Sequence, residues 1–224
     1  MNTLFWTGSF FLALAANIIA GETGNETLHY ISKPLLMPLL TGLFLSGVSN
    51  KRHALSPWLL AALFFSWSGD VLLMFVPKDE MFFLLGLASF LIAHICYIFF
   101  FEKIRRTETV TIKPLLPLLA AAYYAVLITI LFPHLADMKV PVLVYGVVIS
   151  VMFMLAMHML FIKNKKAGQW MMTGAALFVI SDSVLAINKF YQPFEQAGLV
   201  IMLTYGLAQF FIVSGAVKYI TGKQ

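Results

Sequence analysis

The chain has 224 residues, of which 61% are hydrophobic and 11% charged, with a mean hydropathy of +0.89. That composition excludes a sizeable water-soluble domain and fits a polytopic membrane protein. The formal net charge of +5 does not point to nucleic acid, because basic residues in short loops are explained by membrane topology and by contact with anionic headgroups.

A spanning helix needs about 20 mostly apolar residues, and eight such stretches can be drawn within one transmembrane domain over 1–224. The first, 4–20, carries Asn17; its Ala13-Leu14-Ala15 resembles a signal cleavage site, but Met1-Asn2-Thr3 lacks the Lys or Arg of a signal n-region, so it is read as a retained span. The second, 29–49, has Lys33 before Pro34, a pairing that suits a helix start because proline lacks the donor orphaned there. The third, 57–76, contains Ser68-Gly69-Asp70, and the fourth, 81–101, lines up Gly86, Phe90, His94 and Tyr97 on one face. The fifth, 113–132, and sixth, 139–162, are almost wholly apolar. The seventh, 168–187, places Gly174, Phe178, Ser181 and Asp182 on one face, and the eighth, 197–220, holds Tyr205 and Gln209 about one turn apart. The expected fold is an all-α bundle of eight transmembrane helices.

Lys and Arg in short loops are retained on the cytoplasmic side. The connections after helices two, four and six, with the C-terminus, hold Lys51, Arg52, Lys103, Arg105, Arg106, Lys113, Lys163, Lys165, Lys166, Lys218 and Lys223, against Lys33, Lys78, Lys139 and Lys189 on the other side. Both termini are therefore expected in the cytoplasm, with Trp6, Trp58 and Trp170 at the cytoplasmic interface where indole rings prefer to lie.

Asp70 and Asp182 stand out because a carboxylate inside hydrocarbon is costly, so such residues face a bundle interior or a cavity. Each could be a structural hydrogen-bonding group that ties helices together. Alternatively, two carboxyls sharing one site can divide into an acid and a base. They are 112 residues apart, and Gly86-Leu87 matches Gly198-Leu199 at the same offset, which hints at two four-helix halves repeated in parallel. Counted from the predicted helix ends, both carboxyls lie about 8 Å inside the membrane, and His94, roughly 20 Å from its own helix end, lies some 10 Å deeper. Lys33 either snorkels to the interface, or pairs with an aspartate or a lipid phosphate. A metal site of Asp70, Asp182 and His94 lacks the paired-histidine or cysteine spacing of known metal sites. His29, His53, His134 and His158 fall at loops or helix ends and read as interfacial. Cys96, the only cysteine, allows no intrachain disulfide. Phosphate-loop, dinucleotide and nucleophile-elbow motifs are missing, which argues against nucleotide-driven transport.

In order along eight helices, Lys33-Pro34, Ser68-Gly69-Asp70, Gly86 with Ala93-His94 and Tyr97, Ser181-Asp182, and Tyr205 with Gln209 resemble the YhhN-like integral membrane family, which includes lysoplasmalogenases. The resemblance covers nearly the whole chain. It implies a membrane-embedded hydrolase that splits the vinyl ether bond of lysoplasmalogen-type lysophospholipids into a fatty aldehyde and a glycerophospho-alcohol, with membrane lipids as partners and no metal or organic cofactor. A bacterial member would sit in the inner membrane. It implies Asp70 and Asp182 as the catalytic pair. One would protonate the alkene carbon remote from oxygen, and the other would stabilise the oxocarbenium ion and activate water, by the logic of glycoside hydrolysis. Lys33, His94, Tyr97, Ser181, Tyr205, Gln209 and Asn17 would support the site or bind substrate. The rival expectation is a proton-coupled transporter or lipid-binding protein using the same carboxyls.

Overall fold

The computed structural model describes residues 3–48 and 53–222, and among these it contains helices and no strands. The eight long helices are α1 (Thr3–Thr23), α2 (Glu26–Gly47), α3 (Ser56–Leu73), α4 (Met81–Thr107), α5 (Leu115–Leu131), α6 (Lys139–Met157), α7 (Lys165–Ala186) and α8 (Ala197–Thr221). All eight helical runs are long and apolar enough to cross a membrane, and the protein is a multi-pass integral membrane protein. Lys51, Arg52 and Lys223 of the expected charge bias lie outside the described residues.

Local chemistry sets the helix ends. Asn25 accepts from the Leu28 N–H at 3.0 Å and Asn164 from the Ala167 N–H at 3.0 Å, capping α2 and α7. Gly24 turns the chain between α1 and α2 at φ +66°, a backbone that side-chain-bearing residues rarely adopt. Past Ala186, α7 continues as a π-helical turn over Ile187–Tyr191, closed by Gln192 N–H donating to the Ile187 carbonyl at 2.9 Å. This turn takes the helical run beyond the expected end at 187.

Helix α2 begins at Glu26, so Lys33-Pro34 lies in its interior rather than at the helix start expected of it, and Pro38 lies one turn further in. Pro38 has no N–H to offer the carbonyl four residues back. The Trp67 indole N–H of α3 donates to that Pro34 carbonyl at 3.0 Å instead, as hydrocarbon requires of a freed backbone group.

The helices pair as α1 with α2, α3 with α4 and α7 with α8; α4 also packs on α6, and α8 on α1 and α2. The α7–α8 approach depends on Gly174, where a Cβ would stand 2.6 Å from the Ala208 carbonyl oxygen and 2.8 Å from the Ile212 nitrogen. Small residues permit such contact in membranes. Helix α5 is the outermost, burying only Ala120 and Leu131. His158, expected at the interface, is fully buried, with Nδ1 2.8 Å from the Met154 carbonyl and Nε2 accepting from the Lys113 N–H at 3.1 Å.

Candidate functional site

Asp182 lies on the face of α7 turned toward α4 and α6. The Tyr145 hydroxyl of α6 donates to Asp182 Oδ2 at 2.5 Å, and His94 Nε2 of α4 stands 3.6 Å from the same oxygen. His94 Nδ1 is 2.7 Å from the Phe90 carbonyl. A carbonyl only accepts, so Nδ1 carries a proton and Nε2 is left to exchange one with Asp182. His94 is fully buried, and Nε2 has no hydrogen-bond partner among the described residues.

Counting rise from the predicted helix ends put His94 about 10 Å deeper than the carboxyls. The π-helical turn carries the α7 run to Tyr191, nine residues past Asp182 and roughly 13 Å by helical rise. About half of the expected difference in depth disappears once that turn is included.

A cavity opens beside Asp182, between α4, α5, α6 and α7, with Leu73 of α3 at its edge. Its empty volume, mouth included, is about 670 Å³, and Phe83, Tyr123, Tyr145, Ile149, Leu185 and Phe190 are among its walls. Its lining is almost wholly apolar, and Asp182, Tyr123, Tyr124 and Tyr145 are the lining residues that carry a polar side-chain group. The Asp182 side chain keeps 15% of its surface exposed, so a molecule in the cavity can touch it. Tyr123 also shares a 2.8 Å hydrogen bond with Ser183.

Asp70 is held differently. It is buried, its Oδ2 accepts from the Tyr205 hydroxyl of α8 at 2.7 Å, and Lys33 of α2 lies within electrostatic range. It is not among the residues that line the Asp182 cavity. The path between the two carboxyls runs through rings. Tyr205 meets Phe178 at 5.5 Å, Phe178 meets His94 at 4.7 Å, and His94 reaches Asp182.

The other expected site residues fall into separate networks. Tyr97 donates to Gln209 Oε1, and Gln209 Nε2 donates to Ser66 at 2.9 Å, all buried. Asn17 donates to Ser32 at 3.1 Å and lies 3.2 Å from His29 Nδ1, on the α1–α2 side. Ser181 donates to the Ile201 carbonyl at 3.1 Å, tying α7 to α8. Of the expected residues Asp182 alone lines the cavity; His94 stands behind it, outside the lining, and Tyr145 and Tyr123, which sequence reasoning passed over, line the cavity beside it. One signal could have found Tyr145: it stands 112 residues after Lys33, the offset that relates Asp182 to Asp70. Among the described residues, no group of three or more His, Cys, Asp or Glu side chains is arranged to hold a metal ion.

The family model described as the YhhN family matches residues 28–216, which includes the Asp182 cavity and the Asp70 cluster. The chain belongs to the YhhN family. This YhhN protein is 30% identical to "Lysoplasmalogenase" of Mycobacterium bovis over 213 residues, covering 93% of the chain and 78% of that relative. It is 34% identical to "Lysoplasmalogenase TMEM86B" of Homo sapiens over 218 residues, covering 95% of the chain and 87% of the relative. It is also 25% identical to "Uncharacterized membrane protein YhhN" of Escherichia coli O6:H1 over 197 residues, 88% of the chain and 91% of the relative. No solved structure matches the family member described here.

Proposed function

We propose that this protein hydrolyses the vinyl ether bond of lysoplasmalogen-type lysophospholipids, releasing a fatty aldehyde and a glycerophospho-alcohol. The observation that carries the reading is a carboxyl with a histidine 3.6 Å away, opening onto an apolar cavity. Such a cavity suits a single aliphatic chain, and two relatives over most of the chain bear the name lysoplasmalogenase.

The proton on Asp182 goes to the alkene carbon remote from oxygen. The C=C electron pair forms the new C–H bond, and positive charge collects on the carbon bonded to oxygen. The Asp182 carboxylate then faces the oxocarbenium ion it has generated, and the surrounding apolar walls strengthen that attraction. Water adds to the cationic carbon and gives its proton to the Asp182 carboxylate, which resets the acid, with His94 Nε2 behind that carboxyl to share the proton. The hemiacetal collapses by C–O cleavage to aldehyde and alcohol. Tyr145 fixes the orientation of the Asp182 carboxyl. Asp70 is the second carboxyl of the proposal and acts at one remove, holding Tyr205 against Phe90 and Phe178 behind the site.

Purified protein in detergent is incubated with an alkenyl lysophospholipid and aldehyde is assayed. Formation by the wild type and its loss in Asp182→Asn supports the reading. No aldehyde from any vinyl-ether lipid, alongside proton-coupled flux into vesicles, would replace it with the transporter.

A further inference from the structure

The π-helical turn at the end of α7 holds two neighbouring residues, one in the cavity wall and one packed against that wall. Phe190 becomes part of the wall, and the Lys189 ammonium stands 5.1 Å above the ring of Phe83, another wall residue. Phe83 and Phe190 meet edge to face at 5.9 Å. Such inserted turns occur often at functional sites. Lys189 Nζ is also 3.6 Å from Glu80 Oε1, just before α4, and Glu80 is 90% exposed. One cation and one anion therefore stand side by side next to the Phe83–Phe190 wall of the chamber that holds Asp182, and neither of them lines the chamber itself.

The spacing fits a lysophospholipid. Lys189 is seven residues beyond Asp182, roughly 10 Å along the axis. In an alkenyl lysophospholipid, seven bonds separate the carbon to be protonated from phosphorus, about 8 Å when extended at roughly 1.2 Å per bond, and the lysine stem covers the remainder. Charge fits as well, since a phosphate followed by an ammonium group matches a lysine beside a carboxylate. Lys33, the lysine that sequence reasoning offered for the phosphate, faces Asp70 instead.

We propose that Lys189 and Glu80 form the headgroup site of the cavity, Lys189 taking the phosphate and Glu80 the ammonium of a zwitterionic lysophospholipid. The assignment rests on the lysolipid reading above, and a binding measurement separates the two. The probe is a saturated 1-O-hexadecyl lysophosphocholine, which has no vinyl ether to cleave; the control is 1-O-hexadecylglycerol, which has no phosphate. Lys189→Ala is expected to weaken the phosphocholine probe on the order of tenfold and to leave the glycerol control unchanged. Glu80→Gln is expected to weaken the phosphocholine probe but not a 1-O-hexadecyl glycerophosphate that lacks the ammonium. The double exchange Lys189→Glu with Glu80→Lys keeps the ion pair but reverses its polarity. It is expected to fold as the wild type does and to bind the phosphocholine probe as poorly as Lys189→Ala. Wild-type affinity in Lys189→Ala or in the exchange variant overturns the proposal. So does loss of phosphate discrimination in Lys33→Ala with its retention in Lys189→Ala. If the wild type makes no aldehyde while probe binding still depends on Lys189, the hydrolase reading fails and the headgroup site stands.

Discussion

Tyr97 of α4 donates a hydrogen bond to Gln209 of α8, and the two residues are 112 positions apart. The same offset separates Asp70 from Asp182 and Lys33 from Tyr145. Tyr145 bonds Asp182 from 37 residues upstream, and Lys33 lies equally far upstream of the Asp70 it faces. Partners also cross between halves: Tyr205 of α8 serves Asp70, and His94 of α4 serves Asp182. Equivalent residues of a two-fold repeat touch only beside the axis. We propose that two four-helix halves repeat about an axis along the membrane normal, passing between Tyr97 and Gln209.

A double-mutant cycle tests the pair at that axis. Tyr97→Phe and Gln209→Leu should each lower thermal stability in detergent, and together should cost less than the sum. The coupling should be about 0.6 kcal/mol and no more than about 1.7, the range for side-chain hydrogen bonds between membrane helices. Strict additivity would show that the contact carries no energy.

The two aspartates should respond differently to the same change. Asp182→Asn removes the group that touches the substrate, and kcat for aldehyde release should fall about 10²- to 10⁴-fold with binding of the saturated probe intact. In Asp70→Asn the amide oxygen still accepts from Tyr205, so the variant should lose stability before it loses chemistry. Equal kcat losses with undisturbed melting in both variants would return Asp70 to the reacting pair.

Tyr145→Phe deletes one donor to Asp182 and keeps the ring that His94 packs against at 5.3 Å. A hydrogen bond to a charged group contributes about 1.5 to 3 kcal/mol, so kcat should drop roughly tenfold to a hundredfold at similar KM. The kcat–pH profile should shift as well, because the donor acts on one protonation state of Asp182 more than on the other. A loss confined to melting temperature would make Tyr145 structural.

The eight spans were legible because runs of about 20 apolar residues have few other uses, and Asp70 and Asp182 because a carboxyl in such a run is expensive. Their surroundings were not. Tyr145 and Tyr123 carry no charge and look like ordinary residues of apolar helices, so nothing but the offset of 112 marked the first of them. The nearness of His94 to Asp182 was hidden in part because depth was counted from a helix end that leaves out the π turn, and hydropathy does not report where the ladder shifts from i→i−4 to i→i−5. Lys189 likewise reads as a loop lysine until that turn is seen. The shared pocket expected for the two carboxyls assumed that matched depth meant matched facing. Phe178, placed between Tyr205 and His94, gives each carboxyl its own neighbours.

At the α7–α8 contact, Gly174→Ala should destabilise the protein by about 1 to 3 kcal/mol, the usual cost of overpacking. The added carbon meets the Ala208 carbonyl and the Ile212 nitrogen, which are backbone atoms and cannot rotate away. Gly198→Ala, where a Cβ meets nothing within 4 Å, is the matched control. Thermal unfolding in detergent compares them, and equal midpoints would mean that the two helices separate without cost.

Trp67→Phe tests how α2 tolerates a proline in its interior. Pro38 leaves the Pro34 carbonyl without its helical donor, and the indole N–H of Trp67 occupies that place at 3.0 Å. Phenylalanine keeps an aromatic ring and loses the donor together with part of the indole's bulk. The carbonyl is then bare in an apolar setting, so stability should fall by about 1 to 3 kcal/mol. Replacing Pro38 by Ala restores a backbone N–H, and in that background Trp67→Phe should cost little. A Trp67→Phe penalty of the same size with and without Pro38 would mean that the indole contributes packing alone.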